Sequence, residues 1–140
     1  MPKVLIIEDD TLISRMYQQV FSFEGFEVVM VEDSLSGVER AKAEKPDIIF
    51  CDIMMPKMNG LEILSTLKSD AQTKSIPVVM LTNMSGTQDS KTAMDKGAYA
   101  YMVKSEFKPK EIAQKAKEFL DQISQAQLQA QTQTQVQSQT

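Results

Sequence analysis

The chain has 140 residues, 15 basic and 19 acidic, for a net charge of −4, with one cysteine and no histidine. That is one domain's worth of sequence, enough to bury a core. The missing imidazole excludes catalytic triads, histidine metal sites and histidine pH switches. The mild acidity gives no electrostatic reason to expect nucleic-acid binding. No apolar run approaches the roughly 20 residues that span a bilayer, and the N-terminus enters a strand directly, without a signal-peptide pattern. A soluble cytoplasmic protein is the expectation. Cys51 lies inside an apolar run, which suits a reducing compartment.

In chain order, Val4–Ile7 is a continuous apolar run that ends in Glu8, Asp9 and Asp10. Ile13, Met16, Tyr17, Val20 and Phe21 then recur at helical spacing, with Asp10 as N-cap and Gly25 as the stop. Phe26–Val31 reads as a second strand. Asp33 and Ser34 can cap a helix whose apolar face is Leu35, Val38 and Ala41. Asp47–Cys51 is a third strand, bracketed by Pro46 and Pro56; a run this short and unbroken is buried on both faces. Asn59-Gly60 turns into a helix carrying Leu61, Leu64 and Leu67. Val78–Leu81 follows Pro77 and ends at Thr82. A helix over 88–96 is closed by Gly97, and Tyr99–Val103 is a fifth strand ending at Lys104. The last helix shows Ile112, Ala116, Phe119, Leu120 and Ile123 on one side.

Five strand–helix units with short connections imply an α/β fold with a parallel sheet and helices on both faces. The flavodoxin-like, doubly wound order 2-1-3-4-5 is the simplest arrangement, with right-handed crossovers. From Gln125 to Gln139 every second residue is glutamine and none is charged. The expected division is therefore a domain over 1–123 and a low-complexity, disordered tail over 124–140.

This topology gathers Glu8, Asp9 and Asp52 at the carboxyl ends of two neighbouring strands, where ligands bind in open parallel sheets. At 4 Å, two such charges repel by about 4 kcal/mol for an effective dielectric near 20. A hard divalent cation relieves that repulsion, and sparse all-oxygen ligation suits Mg²⁺. Lys104 and Thr82 end strands on the same edge. An ammonium pairs with phosphate as a point charge, and a hydroxyl donates one hydrogen bond to it. A carboxylate nucleophile with these neighbours fits phosphoryl transfer through an aspartyl phosphate.

The acids after Val4–Ile7, the stretch Cys51–Gly60, Leu81-Thr82, Gly97–Tyr101 and Lys104 together resemble the receiver domain of bacterial two-component response regulators over residues 2–123. The resemblance implies a chemotaxis-regulator-like, stand-alone receiver. Asp52 would be the phosphoacceptor. Glu8, Asp9, Asp52 and the backbone carbonyl of Met54 would hold Mg²⁺. Thr82 and Lys104 would contact the phosphoryl group, and Thr82 and Tyr101 would act as the switch. It also implies phosphorylation by a sensor histidine kinase or phosphotransfer protein. The output would be a protein target reading the face of the fourth helix, fifth strand and fifth helix, with no direct nucleic-acid contact or membrane insertion, from a monomer or weak dimer. One departure is Ser105, where the family usually has proline, often after a cis bond. A non-proline cis bond costs about 2.5–4 kcal/mol, so a trans Lys104–Ser105 peptide is expected.

Three other readings compete. An aspartate-nucleophile, Mg-dependent phosphohydrolase of the haloacid-dehalogenase type would carry a second aspartate where Met54 stands. A flavodoxin-like cofactor binder would repel its phosphate on Glu8-Asp9-Asp10. An unphosphorylated docking module would not need the full set of Glu8, Asp9, Asp52, Thr82 and Lys104.

Overall fold

The computed structural model describes residues 1–84 and 86–138, with side chains described through residue 131. Five strands, β1 (Lys3–Ile7), β2 (Glu27–Val31), β3 (Ile48–Cys51), β4 (Val78–Thr82) and β5 (Ala100–Val103), alternate with five helices. The helices are α1 (Thr11–Phe23), α2 (Gly37–Glu44), α3 (Gly60–Ser69), α4 (Thr87–Asp95) and α5 (Pro109–Ser138). All strand pairs are parallel, in the order β2-β1-β3-β4-β5. The arrangement expected from the alternation is the one observed.

Alternate strand residues feed two cores. Leu5, Ile7, Ile49, Cys51, Val78 and Met80 pack towards α2, α3 and α4. Val4, Ile6, Ile48, Phe50, Val79 and Leu81 pack towards α1 and α5. With both faces covered, β1, β3 and β4 need unbroken apolar runs, as their sequences have. Asp10 caps α1 by accepting from the Leu12 and Ile13 amides.

Some faces differ from the sequence reading. Leu35 stands in a short 3-10 turn over Ser34–Ser36 ahead of α2 and is 57% exposed, because that turn breaks the helical phase before Val38 and Ala41. Met16 also points outward; the buried stripe of α1 is Ser14, Tyr17 and Phe21. A strand over Tyr99–Val103 would put Tyr99 and Tyr101 on one face, but Tyr99 lies just ahead of β5 and packs its ring against Phe119, whereas Tyr101 packs on the opposite core.

The backbone of α5 stays helical through the glutamine-rich stretch to Ser138, where a disordered tail was expected from 124. Alanine, leucine and glutamine are adequate helix formers. Residues 139–140 of that expected tail lie outside the described residues. Residues 124–131 are exposed throughout. Truncation after Ser124 should therefore change the unfolding free energy by no more than about 0.5 kcal/mol. A larger drop in urea denaturation would mean that the extension supports the domain.

Candidate functional site

The register of the sheet brings the strand ends together. Ile7 pairs with Cys51, and Cys51 with Met80, so Glu8, Asp9 and Asp52 leave neighbouring strands at one edge. The Asp52 amide donates to the Ile7 carbonyl at 3.1 Å, which fixes the start of the loop beyond β3. Thr82 closes β4, and Lys104 follows β5 at the head of a short 3-10 turn. The peptide bonds include no cis bond among the described residues, so the Lys104–Ser105 bond is trans as expected.

The Lys104 ammonium donates to Glu8 Oε2 at 2.5 Å and to Asp52 Oδ2 at 3.0 Å. All three side chains are at least nine-tenths buried. The remaining oxygens are also engaged: the Asp10 amide donates to Glu8 Oε1, and the Met54 amide to Asp52 Oδ1. Asp9 is the most solvent-facing of the three acids. Oxygens of Glu8, Asp9 and Asp52 lie within 4.8 Å of one another, close enough to share one metal ion. Three carboxylates face one ammonium, leaving an excess of two negative charges, which the two positive charges of one divalent cation would balance. The donor set is all oxygen, so the residues present fit a hard cation.

Burial raises the pKa of Glu8, against the opposing effect of Lys104. Burial would lower that of Lys104, but its hydrogen bonds and charge contacts with Glu8 and Asp52 outweigh it and raise the value. Burial also pushes the Tyr17 phenol up to about 12. These acids line a cleft of about 250 Å³ together with Met54, Thr82, Asn83 and Lys104. Thr82 is fully buried, and its hydroxyl accepts from the Met84 amide at 3.3 Å. Tyr101 is half-buried, and its hydroxyl donates to the Met84 carbonyl. Thr82 and Tyr101 thus hold opposite sides of one residue's backbone.

With that geometry in place, comparison with known proteins decides the family. The model of the response regulator receiver domain matches residues 4–117. The chain belongs to the response regulator receiver domain family. Among curated relatives, this receiver is 36% identical over 104 residues to the DNA-binding dual master transcriptional regulator RpaA of Synechocystis. That match covers 74% of this chain and 43% of RpaA. It is also 36% identical over 122 residues to the phosphate regulon transcriptional regulatory protein PhoB of Klebsiella pneumoniae, covering 87% and 53% of the two chains. The receiver thus spans about half the length of the curated relatives it matches. DNA binding is named for RpaA, as a property of that longer protein.

Among solved structures, a CheY-like response regulator receiver domain protein from Methanospirillum hungatei superposes with a TM-score of 0.82 at 28% identity. It covers 90% of this chain and 98% of that one. The chemotaxis protein CheY4 of Vibrio cholerae gives 0.79 at 27% identity, covering 85% and 98%. Among the described residues of this receiver, no helix is long and apolar enough to cross a membrane.

The structure brings Glu8, Asp9, Asp52, Met54, Thr82 and Lys104 to one cleft and sets Tyr101 one residue-backbone away, through Met84. Sequence reasoning missed Asn83, which lines the cleft, and Met84. Both lie within two residues of Thr82, in a stretch without hydrophobic period to mark it. It also read Gly60 and Ser34 only as a turn and a cap, whereas both contact the loop that follows Asp52.

Proposed function

We propose that this receiver accepts a phosphoryl group on Asp52 from the phosphohistidine of a sensor kinase or phosphotransfer protein. The reading is carried by the buried Lys104 ammonium, shared between Asp52 and Glu8 in a cleft that also holds Asp9 and Thr82. A carboxylate oxygen of Asp52 attacks phosphorus; the P–N bond breaks, the imidazole leaves, and an acyl phosphate forms. Glu8, Asp9, Asp52 and the Met54 carbonyl would hold Mg²⁺, which neutralises charge on the transferring group. Lys104 gives up its bond to Asp52 and takes a phosphoryl oxygen instead. The Thr82 hydroxyl turns from the Met84 amide to donate to another.

The signal then leaves through Met84. Once Thr82 releases the Met84 amide, the turn after β4 is held from one side by the Tyr101 hydroxyl. Tyr101 and that turn shift together, and the face of α4, β5 and α5 changes shape for a protein partner. The site performs no turnover of small substrates beyond its own phosphorylation and dephosphorylation, because Met54 stands where a hydrolase would place its second aspartate.

One experiment tests both halves. Incubation with acetyl phosphate and Mg²⁺ should add one phosphoryl group by mass spectrometry, absent in Asp52→Asn. NMR of the same sample should show shifts at Tyr101 and Met84. Equal labelling of Asp52→Asn sinks the phosphoacceptor assignment, and unmoved Tyr101 signals in a labelled sample sink the route through Met84.

A further inference from the structure

The loop from Asp52 to α3 is held closed at its base and at its tip. At the base, the Gly60 amide donates to the Ile53 carbonyl at 2.9 Å. At the tip, the Met58 amide donates to the Pro56 carbonyl at 2.8 Å across a single residue, Lys57, whose φ is +70°. That is a γ-turn with a positive central φ, the rare and strained form.

Ser34 reaches this turn from the 3-10 turn that follows β2. It is 3% exposed, and its hydroxyl donates to the Pro56 carbonyl at 2.7 Å and accepts from the Met58 amide at 3.2 Å. One hydroxyl therefore engages both ends of the strained turn. Only a group that both donates and accepts can do so. Its own backbone is fixed in turn, because Asp33 Oδ1 accepts from the Leu35 amide. Thr82 and Lys104 line the cleft directly, whereas the two partners of the Ser34 hydroxyl, the Pro56 carbonyl and the Met58 amide, both belong to this loop.

We propose that Ser34 is a positioning residue for the metal site. Its hydroxyl clamps the γ-turn, and the clamped turn holds the Met54 backbone in the cleft beside Glu8, Asp9 and Asp52. Without the hydroxyl, Lys57 relaxes towards negative φ and the loop carries Met54 away from the acids. The inference rests on the functional reading above for the role of the Met54 carbonyl.

The test uses Mg²⁺ alone as the probe, by titration calorimetry on the full chain, alongside amide hydrogen exchange. Loss of a partner behind metal ligands typically weakens binding 10–100-fold. Because Ser34 acts through the loop, Ser34→Ala should fall at the lower end, about tenfold. The Met58 amide should exchange faster while β1 and β3 keep their protection, which shows that the variant is folded. Ser34→Thr keeps the hydroxyl and should bind Mg²⁺ like the natural protein. A Ser34→Ala dissociation constant equal to the natural one overturns the proposal. So does Ser34→Thr binding as weakly as Ser34→Ala, since the position would then matter for packing alone. Acetyl phosphate labelling of the natural protein is read separately. If Ser34→Ala loses Mg²⁺ affinity while the natural protein takes no phosphoryl group, the clamp stands and the phosphoacceptor reading falls.

Discussion

Gly60→Ala should cost about 3 kcal/mol or more of folding stability, at the upper end of overpacking effects. A Cβ at this position would lie 1.9 Å from the Asp52 carbonyl oxygen, 2.7 Å from its carbonyl carbon and 2.8 Å from the Ile53 Cα. All three neighbours are backbone, so no side chain can swing aside. Space, rather than a positive φ, demands glycine here. To admit a methyl group, the start of α3 must pull away from β3, against the buried side chains of Ile63, Leu64 and Leu67. Urea denaturation measures the loss, and a change under about 1 kcal/mol would show that the loop yields easily. The same shift moves Asp52, so a folded fraction of the variant should also label slowly with acetyl phosphate.

The second large effect lies at Lys104. Lys104→Met should destabilise the protein by about 3 kcal/mol at pH 7 without divalent cations, because removing one partner of a buried ion pair strands the other charge. The Lys104, Glu8 and Asp52 side chains are each no more than 10% exposed, so solvent screening relieves little of this. The pH dependence follows from Glu8. Its native pKa already lies above the ordinary 4.5 because of burial. A carboxylate raised in this way stabilises fully below its unfolded value, and that contribution is lost as pH rises through the native value. In Lys104→Met the opposing ammonium is gone and the native value climbs further. The deficit should therefore be smaller at pH 5 than at pH 7, because a carboxylate held above its ordinary range is neutralised more readily as the pH falls, and should also shrink at pH 7 on adding Mg²⁺. Equal deficits at both pH values would show that Glu8 is not the stranded charge. Lys104 itself has the matching behaviour at the alkaline end: its contribution is present below 10.5 and lost as pH rises through its raised native value.

The sheet was legible because its inner strands are covered twice. Val4–Ile7, Ile48–Cys51 and Val78–Leu81 show no polar interruption, and apolar runs of that short length belong to strands buried on both faces. The positions of Glu8, Asp9, Asp52, Thr82 and Lys104 followed from strand ends alone, since parallel strands in register deliver those ends to one edge. Helix faces were read less well. Periodicity favoured Met16 over Ser14, yet the serine is buried because it is small and the methionine turns out. Leu35 was read on the α2 face because nothing in the sequence marks a 3-10 turn before Gly37. The Ser34 hydroxyl and the Met84 carbonyl meet partners that lie close only in three dimensions, and Gly60 is required by a close backbone approach that its turn signal does not reveal. Ser34 and the turn it holds are 22 and 24 residues apart in the chain. No local pattern encodes such a contact.

Cys51 precedes Asp52 at the centre of the sheet, fully buried, and burial pushes its thiol far above the ordinary range. Thiolate is the form of cysteine that reacts with oxidants and alkylating agents, so the folded protein presents no reactive thiol next to Asp52. Damage at this cysteine must follow opening of the central strand and cannot initiate it. Sulfenic acid or a mixed disulfide at Cys51 would therefore record that a molecule has been unfolded, and the bulk added there would oppose the return of β3 to its place.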